Sequence, residues 1–234
     1  MLEFVLTVGG LRGITLVGTL MALRERKLVP NVVTGVSVGA FAAYQAYSGL
    51  SPKQVENWYQ ISRNHFRSRS GISRFLPPYD TGGMEVLKLC EPFMVDNDVF
   101  RQQGLDKFLV GYTSLPSFQF VIEDILQKQD KMLAFHPIIK SSLIPFVTHF
   151  SPHCQGAIDG GVRKMFFCSK EETRERWLFS FENMQALTKE KSGQKVTRKI
   201  ILKTPISSLT AATNRQLKAG LEAGYEQGMK LDIG

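Results

Sequence analysis

Cysteine is scarce in this chain of 234 residues, and the three present, Cys90, Cys154 and Cys168, are odd in number and widely spaced. That pattern argues against a disulfide framework. With no C-x-x-C pair it also argues against a structural zinc site, so a reducing compartment is the simplest setting. Long apolar runs are absent too: no stretch approaches the roughly 18 residues of a membrane span. The first residues lack a basic segment followed by an apolar one, so the amino terminus reads as a first strand and not as a removable signal. Four histidines, His65, His136, His149 and His153, show no metal-ligand spacing, and nothing resembles H-E-x-x-H. Neither a metal nor an organic cofactor is implied. No Pro/Gly/Ser-rich linker, repeat or low-complexity tract divides the chain, so one domain over 1–234 is expected.

Acidic residues are outnumbered. A formal charge of +8 and a pI near 9.4 imply an anionic partner, either nucleic acid or an acidic lipid surface. Charge alone does not choose between them. Part of the excess is local: Arg63, Arg67, Arg69 and Arg74 are interleaved with Phe66, Ile72, Phe75 and Leu76, ahead of Pro77-Pro78-Tyr79. Such a mixture suits a loop lying against lipid headgroups, and equally a solvated connector. The arginines match no recognised nucleic-acid module, so nucleic acid is not the expected partner.

What is present is alternation. Residues 2 to 8 read as a buried strand, followed by a glycine turn and by Ile14, Val17, Leu20, Met21 and Leu23 at helical spacing. Val32-Val33-Thr34 makes a second strand, and an Ala-rich helix over 38–48 stops at Gly49. This predicts an α/β fold with a mostly parallel central sheet flanked by helices, its site at the strand carboxyl ends. Further on, Ser51-Pro52 starts a helix that ends before the arginine-rich stretch, with 64–80 as loop. A broken helical region over 84–110 precedes a strand at 117–122, and a second strand at Met132–Phe135 suggests a hairpin. Ile138 to Leu143 reads as helix, 170–176 as a mixed-charge segment, 199–202 as strand, and about 214–231 as the final helix.

Two early turns carry chemistry. Gly35-Val36-Ser37-Val38-Gly39 matches the G-x-S-x-G elbow, in which a sharp strand-to-helix turn exposes a serine hydroxyl and needs glycine on both sides. Ser37 is the candidate nucleophile. Gly9-Gly10-Leu11-Arg12-Gly13 places glycine amides and an arginine at a helix opening, where unpaired N–H groups favour negative charge. Gly9 and Gly10, with Gly13 or Val38, become candidate oxyanion donors, and Arg12 adds positive charge or braces the loop. A dinucleotide site is rejected, because Val8 stands where G-x-G-x-x-G needs its first glycine and no acid ends the second strand. A Ser-Asp-His hydrolase would place its histidine late in the chain, yet all four histidines precede Asp159.

These two blocks, followed in order by Asp159-Gly160-Gly161, make the chain resemble the patatin-like phospholipase family. Ser141-Ser142-Leu143-Ile144-Pro145 is similar to the family's small-residue and proline segment, and Glu222-Ala223-Gly224-Tyr225-Glu226 resembles its last helix. The resemblance implies a three-layer architecture and a Ser-Asp dyad, with Ser37 as nucleophile, Asp159 as base, and Gly160 and Gly161 shaping the turn behind it. It implies cleavage of acyl esters of phospholipids or other lipids without a cofactor, by a cytoplasmic protein peripheral at membranes, with a protein activator open. Arg63, Phe66, Arg67, Arg69, Arg74 and Phe75 would be the membrane contacts. Two departures stand out: Val8 fills the place of a third consecutive glycine, and Arg163-Lys164-Met165-Phe166 replaces an Asn-x-Pro. They support a second expectation, a catalytically weak member acting as a lipid-binding or regulatory module.

Overall fold

The computed structural model describes residues 1–68, 84–144, 153–182, 184, 195–209 and 211–233, with the backbone alone at 62, 63, 65–68, 84 and 85. Leu2–Leu6 (β1) is wholly buried from Glu3 onward. A strand without a solvent face needs a partner on each edge. Val32–Val36 (β2) pairs with it in parallel on one side and Glu175–Phe181 (β6) on the other. Lys107–Ser114 (β3) extends the sheet past β2, and Arg198–Leu202 (β7) past β6, both in parallel. Phe120–Asp124 (β4) lies antiparallel to β3, as does the two-residue Ala157–Ile158 (β5) at its far end. The order is β4-β3-β2-β1-β6-β7, with β5 beside β3. The carboxyl ends of the five parallel strands thus share one edge.

Phe4 and Leu6 point into the main core, which they share with Gly13–Glu25 (α1), Val38–Tyr47 (α2), Pro52–Ser68 (α3), Met84–Cys90 (α4), Asn97–Gln102 (α5), Lys131–Ser142 (α6) and Asn214–Lys230 (α7). Val5 points the other way, into a smaller cluster with Phe166, Cys168 and Leu178. α1 carries the first glycine turn, and α7 clamps it at very short range. A Cβ at Gly224 would stand 1.9 Å from the Thr15 carbonyl oxygen, and one at Gly18 2.1 Å from that of Leu221. The Thr19 hydroxyl donates to the Gly224 carbonyl at 3.0 Å across the same seam. Gly224→Ala should therefore destabilise the protein by about 3 kcal/mol, because neither backbone can yield. Urea unfolding checks this, and an unchanged midpoint contradicts the packing.

Several expectations are corrected. α3 does not stop before the arginines but runs to Ser68, so the backbone of 64–68 is helix and not loop. The region 84–110 holds α4, α5 and then the start of β3. No hairpin forms at 132–135. Asp130 caps α6 by accepting the Leu133 amide at 2.8 Å, and Ala134, Phe135, Ile138, Ile139 and Ser141 are buried at helical spacing. The mixed-charge segment over 170–176 leads into β6, where Arg176 Nε donates to the buried Glu3 carboxylate at 2.8 Å.

Candidate active site

Ser37 sits between β2 and α2 with φ +55° and ψ −130°, a conformation that side chains other than glycine rarely adopt. The strain lifts its hydroxyl out of the turn. Both flanking glycines are dictated by lack of room: a Cβ at Gly35 would lie 2.7 Å from the Ala40 backbone, and one at Gly39 would lie 2.6 Å from the Leu6 carbonyl oxygen. Ser37 Oγ donates to Asp159 Oδ2 at 2.6 Å, and both residues are buried.

Asp159 is fixed at four points. Its amide donates to the Leu143 carbonyl at 2.7 Å, its carbonyl accepts both the Thr113 hydroxyl at 3.1 Å and the Val162 amide at 3.3 Å, and Oδ1 accepts the Gly161 amide at 2.6 Å. The fourth is Ser37 itself. The two glycines after it are required by space: a Cβ at Gly160 would meet the Gly111 carbonyl oxygen at 2.4 Å, and one at Gly161 would meet Oδ1 and Val8 Cγ1 at 2.8 Å each. Burial pushes the carboxyl from 3.8 up to about 6, while the hydrogen bonds from Ser37 and Gly161 pull in the opposite direction. At neutral pH the group is ionised yet far more basic than an exposed aspartate. No histidine is bonded to the pair among the described residues, and His136 bonds instead to Gln155.

The first glycine turn lies alongside as Gly10–Arg12, one turn of 3-10 helix. Gly10 has φ +56°, and a Cβ there would stand 2.3 Å from the Leu209 carbonyl oxygen. Among the described residues, the amides of Gly9, Gly10 and Val38 donate to no protein acceptor. Two other candidates are otherwise engaged. The Gly13 amide donates to the Gly10 and Leu11 carbonyls, so it is not an oxyanion donor. The buried Arg12 guanidinium donates to the carbonyls of Ile206 at 3.1 Å and Ser207 at 2.5 Å, and so braces the loop instead of facing the hydroxyl. The Val8 amide donates to Met165 at 3.3 Å, so the missing third glycine leaves the Gly9 and Gly10 amides as they are.

The family model for patatin-like phospholipases matches residues 4–168, more than half of the sequence. The chain belongs to the patatin-like phospholipase family. Curated protein sequences offer no match. Among solved structures, VipD from Legionella pneumophila is similar in fold, with TM-score 0.58 and 12% identity over 97% of this chain and 66% of that one. The ExoU–SpcU complex from Pseudomonas aeruginosa gives TM-score 0.51 and 14% identity over 97% and 51%. This patatin-like chain thus spans less than two thirds of the length of either. No helix among the described residues is long and apolar enough to cross a membrane.

Of the residues expected to touch a membrane, the side chains of Arg63, Phe66 and Arg67, and Arg69, Arg74 and Phe75 entirely, lie outside the described residues. Ser141 and Thr113 emerge from the structure as supports that sequence reasoning did not assign. The Ser37 amide donates to Ser141 Oγ at 2.7 Å, and Ser141 Oγ donates to the Gly111 carbonyl at 2.5 Å. One hydroxyl thus ties the strained elbow to β3. Ser141→Ala leaves the Ser37 amide buried and unpaired, which should cost about 1–3 kcal/mol and lower kcat about tenfold with KM little changed. Unfolding and steady-state kinetics on a soluble ester check this, and an unchanged kcat contradicts it.

Proposed function

We propose that the protein hydrolyses acyl esters of lipids, phospholipids foremost, through an acyl-Ser37 intermediate. The observation that carries the reading is the 2.6 Å hydrogen bond from the Ser37 hydroxyl to a buried aspartate whose pKa stands near 6. A serine hydroxyl needs a neighbour to take its proton, and a carboxylate pushed towards neutrality can do so without histidine.

In this mechanism Ser37 Oγ attacks the ester carbonyl carbon as its proton passes to Asp159 Oδ2. The carbonyl oxygen becomes an oxyanion held by the amides of Gly9, Gly10 and Val38, each donor contributing about 10²- to 10³-fold in rate. Collapse breaks the carbon–oxygen bond to the alcohol, which leaves with the proton from Asp159. Water then attacks the acyl-enzyme, gives a proton to the same carboxylate, and releases fatty acid with return of that proton to Ser37. Asp159 therefore alternates between base and acid in each half-reaction.

Mixed phospholipid vesicles should yield free fatty acid on incubation with the purified protein, read by mass spectrometry of the lipid extract. Vesicle binding without any fatty acid release, together with no turnover of soluble esters, contradicts the proposal and favours the lipid-binding module instead.

A further inference from the structure

The edge that presents Ser37 is apolar and cationic at its surface. Among the described residues, eight large apolar side chains stand most exposed, and Phe118, Ile144, Val162 and Leu209 are four of them, each 36–57% accessible. Three of them, Val162, Ile144 and Leu209, adjoin the candidate site through the backbone, and Phe118 lies at the same edge of the sheet. The Val162 amide donates to the Asp159 carbonyl at 3.3 Å, and Ile144 follows Leu143, whose carbonyl accepts the Asp159 amide. The Leu209 carbonyl accepts the Leu11 amide at 2.8 Å, and Phe118 lies in the turn between β3 and β4.

Charge at this edge has one dominant sign. Exposed Arg163 and Lys164 follow Val162 directly, and Lys164 Nζ lies 5.0 Å from the Phe120 ring centroid. In the described segments leaving the parallel strands, Glu182 is the one exposed acid, and it stands 3.8 Å from Lys203. At the opposite edge the signs mix: Asp106 precedes β3 and Glu171, Glu172 and Glu175 lead into β6, beside Lys107, Lys170, Arg174 and Arg176.

We propose that this rim is a docking surface for an anionic lipid bilayer, with Val162, Leu209, Ile144 and Phe118 entering the headgroup–acyl boundary while Arg163 and Lys164 meet lipid phosphates. It deepens the lipid-ester reading, since a substrate in a bilayer must pass through this face to reach Ser37. Apolar side chains beside cations are the composition that holds a protein at a charged interface, and each needs the other for firm attachment. A second copy of this chain, with the same positive face, would be repelled.

The test is co-sedimentation with phosphatidylcholine vesicles with and without phosphatidylserine, alongside turnover of p-nitrophenyl butyrate. Wild type should bind the phosphatidylserine vesicles, more weakly as salt rises. Arg163→Glu with Lys164→Glu, and separately Val162→Asp with Leu209→Asp, should each weaken binding roughly 100-fold. Soluble-ester turnover should change less than about threefold in the charge-reversal pair. Binding that ignores both pairs overturns the proposal, as does a lack of preference for phosphatidylserine or a dimer that dissociates in either pair. If the apolar pair fails to fold, the charge pair and the salt dependence still decide. Rim-dependent vesicle binding without turnover of either ester class leaves the docking surface standing and removes the hydrolase reading.

Discussion

Ser37→Ala should lower ester hydrolysis by about 10⁴-fold or more, with the protein still folded. The loss is that large because the attacking hydroxyl is gone, and the residual rate is what the three amides supply alone. Alanine inherits the φ of +55°, so it relieves no strain. It does remove one of the hydrogen bonds that hold the Asp159 carboxylate ionised, so that carboxyl should titrate above 6 in the variant. Steady-state rates on a soluble ester, with near-UV circular dichroism as the control for folding, check the result. Turnover within tenfold of wild type contradicts the assignment.

Asp159→Asn should cost about 10³- to 10⁴-fold in kcat, because the amide can accept from Gly161 but cannot take the proton of Ser37. Its effect on stability has the opposite sign. The folded-state pKa of about 6 lies above the ordinary value of 3.8, so between those values the folded protein binds more protons than the unfolded chain. Stability linked to this group is full below about pH 4 and falls as pH rises to about 6. The difference, about 6 minus 3.8, corresponds to roughly 3 kcal/mol at pH 7. A carboxamide at this position has no charge to bury, so the variant should be at least as stable as wild type above pH 7 and should lose the pH dependence of unfolding between 4 and 6. Activity of the wild type runs the other way, since the base works only when ionised: kcat should fall about tenfold per unit below pH 6. Urea titrations and rates over pH 4–8 in both proteins measure the two trends, and a pH-independent kcat contradicts the role of Asp159.

The elements that were legible in the sequence are those whose pattern is local. β1, α1, β2 and α2 follow one another in a clear local pattern, and Gly35 is fixed by the Ala40 backbone within the elbow it frames. What escaped depends on distant partners. β6 begins with Glu175 and Arg176, which read as polar surface until Glu3 of the neighbouring strand takes the guanidinium. β3 follows directly on helical α5, and the register that makes it a central strand comes from β2. The apolar run at 132–135 fits strand and helix alike, and Asp130 decides for helix only once its side chain is seen to cap the Leu133 amide. Ser141 stood in a segment that the family resemblance marked, yet its role was not legible there, and Thr113 had no local signal, because their work is to bond the elbow and the aspartate across the sheet edge. Arg12 shows the converse: its position beside the glycines is local, while its engagement with Ile206 and Ser207 is not.

The pairing of Ser37 with Asp159 is tested most directly by the site and rate of covalent capture with a fluorophosphonate ester. After digestion and peptide mapping, a single adduct should lie on the Ser37 hydroxyl, forming at a rate that falls below about pH 6 and is nearly abolished by Asp159→Asn. An adduct on any other residue, or capture of Ser37 at the same rate without the carboxylate, would contradict the account.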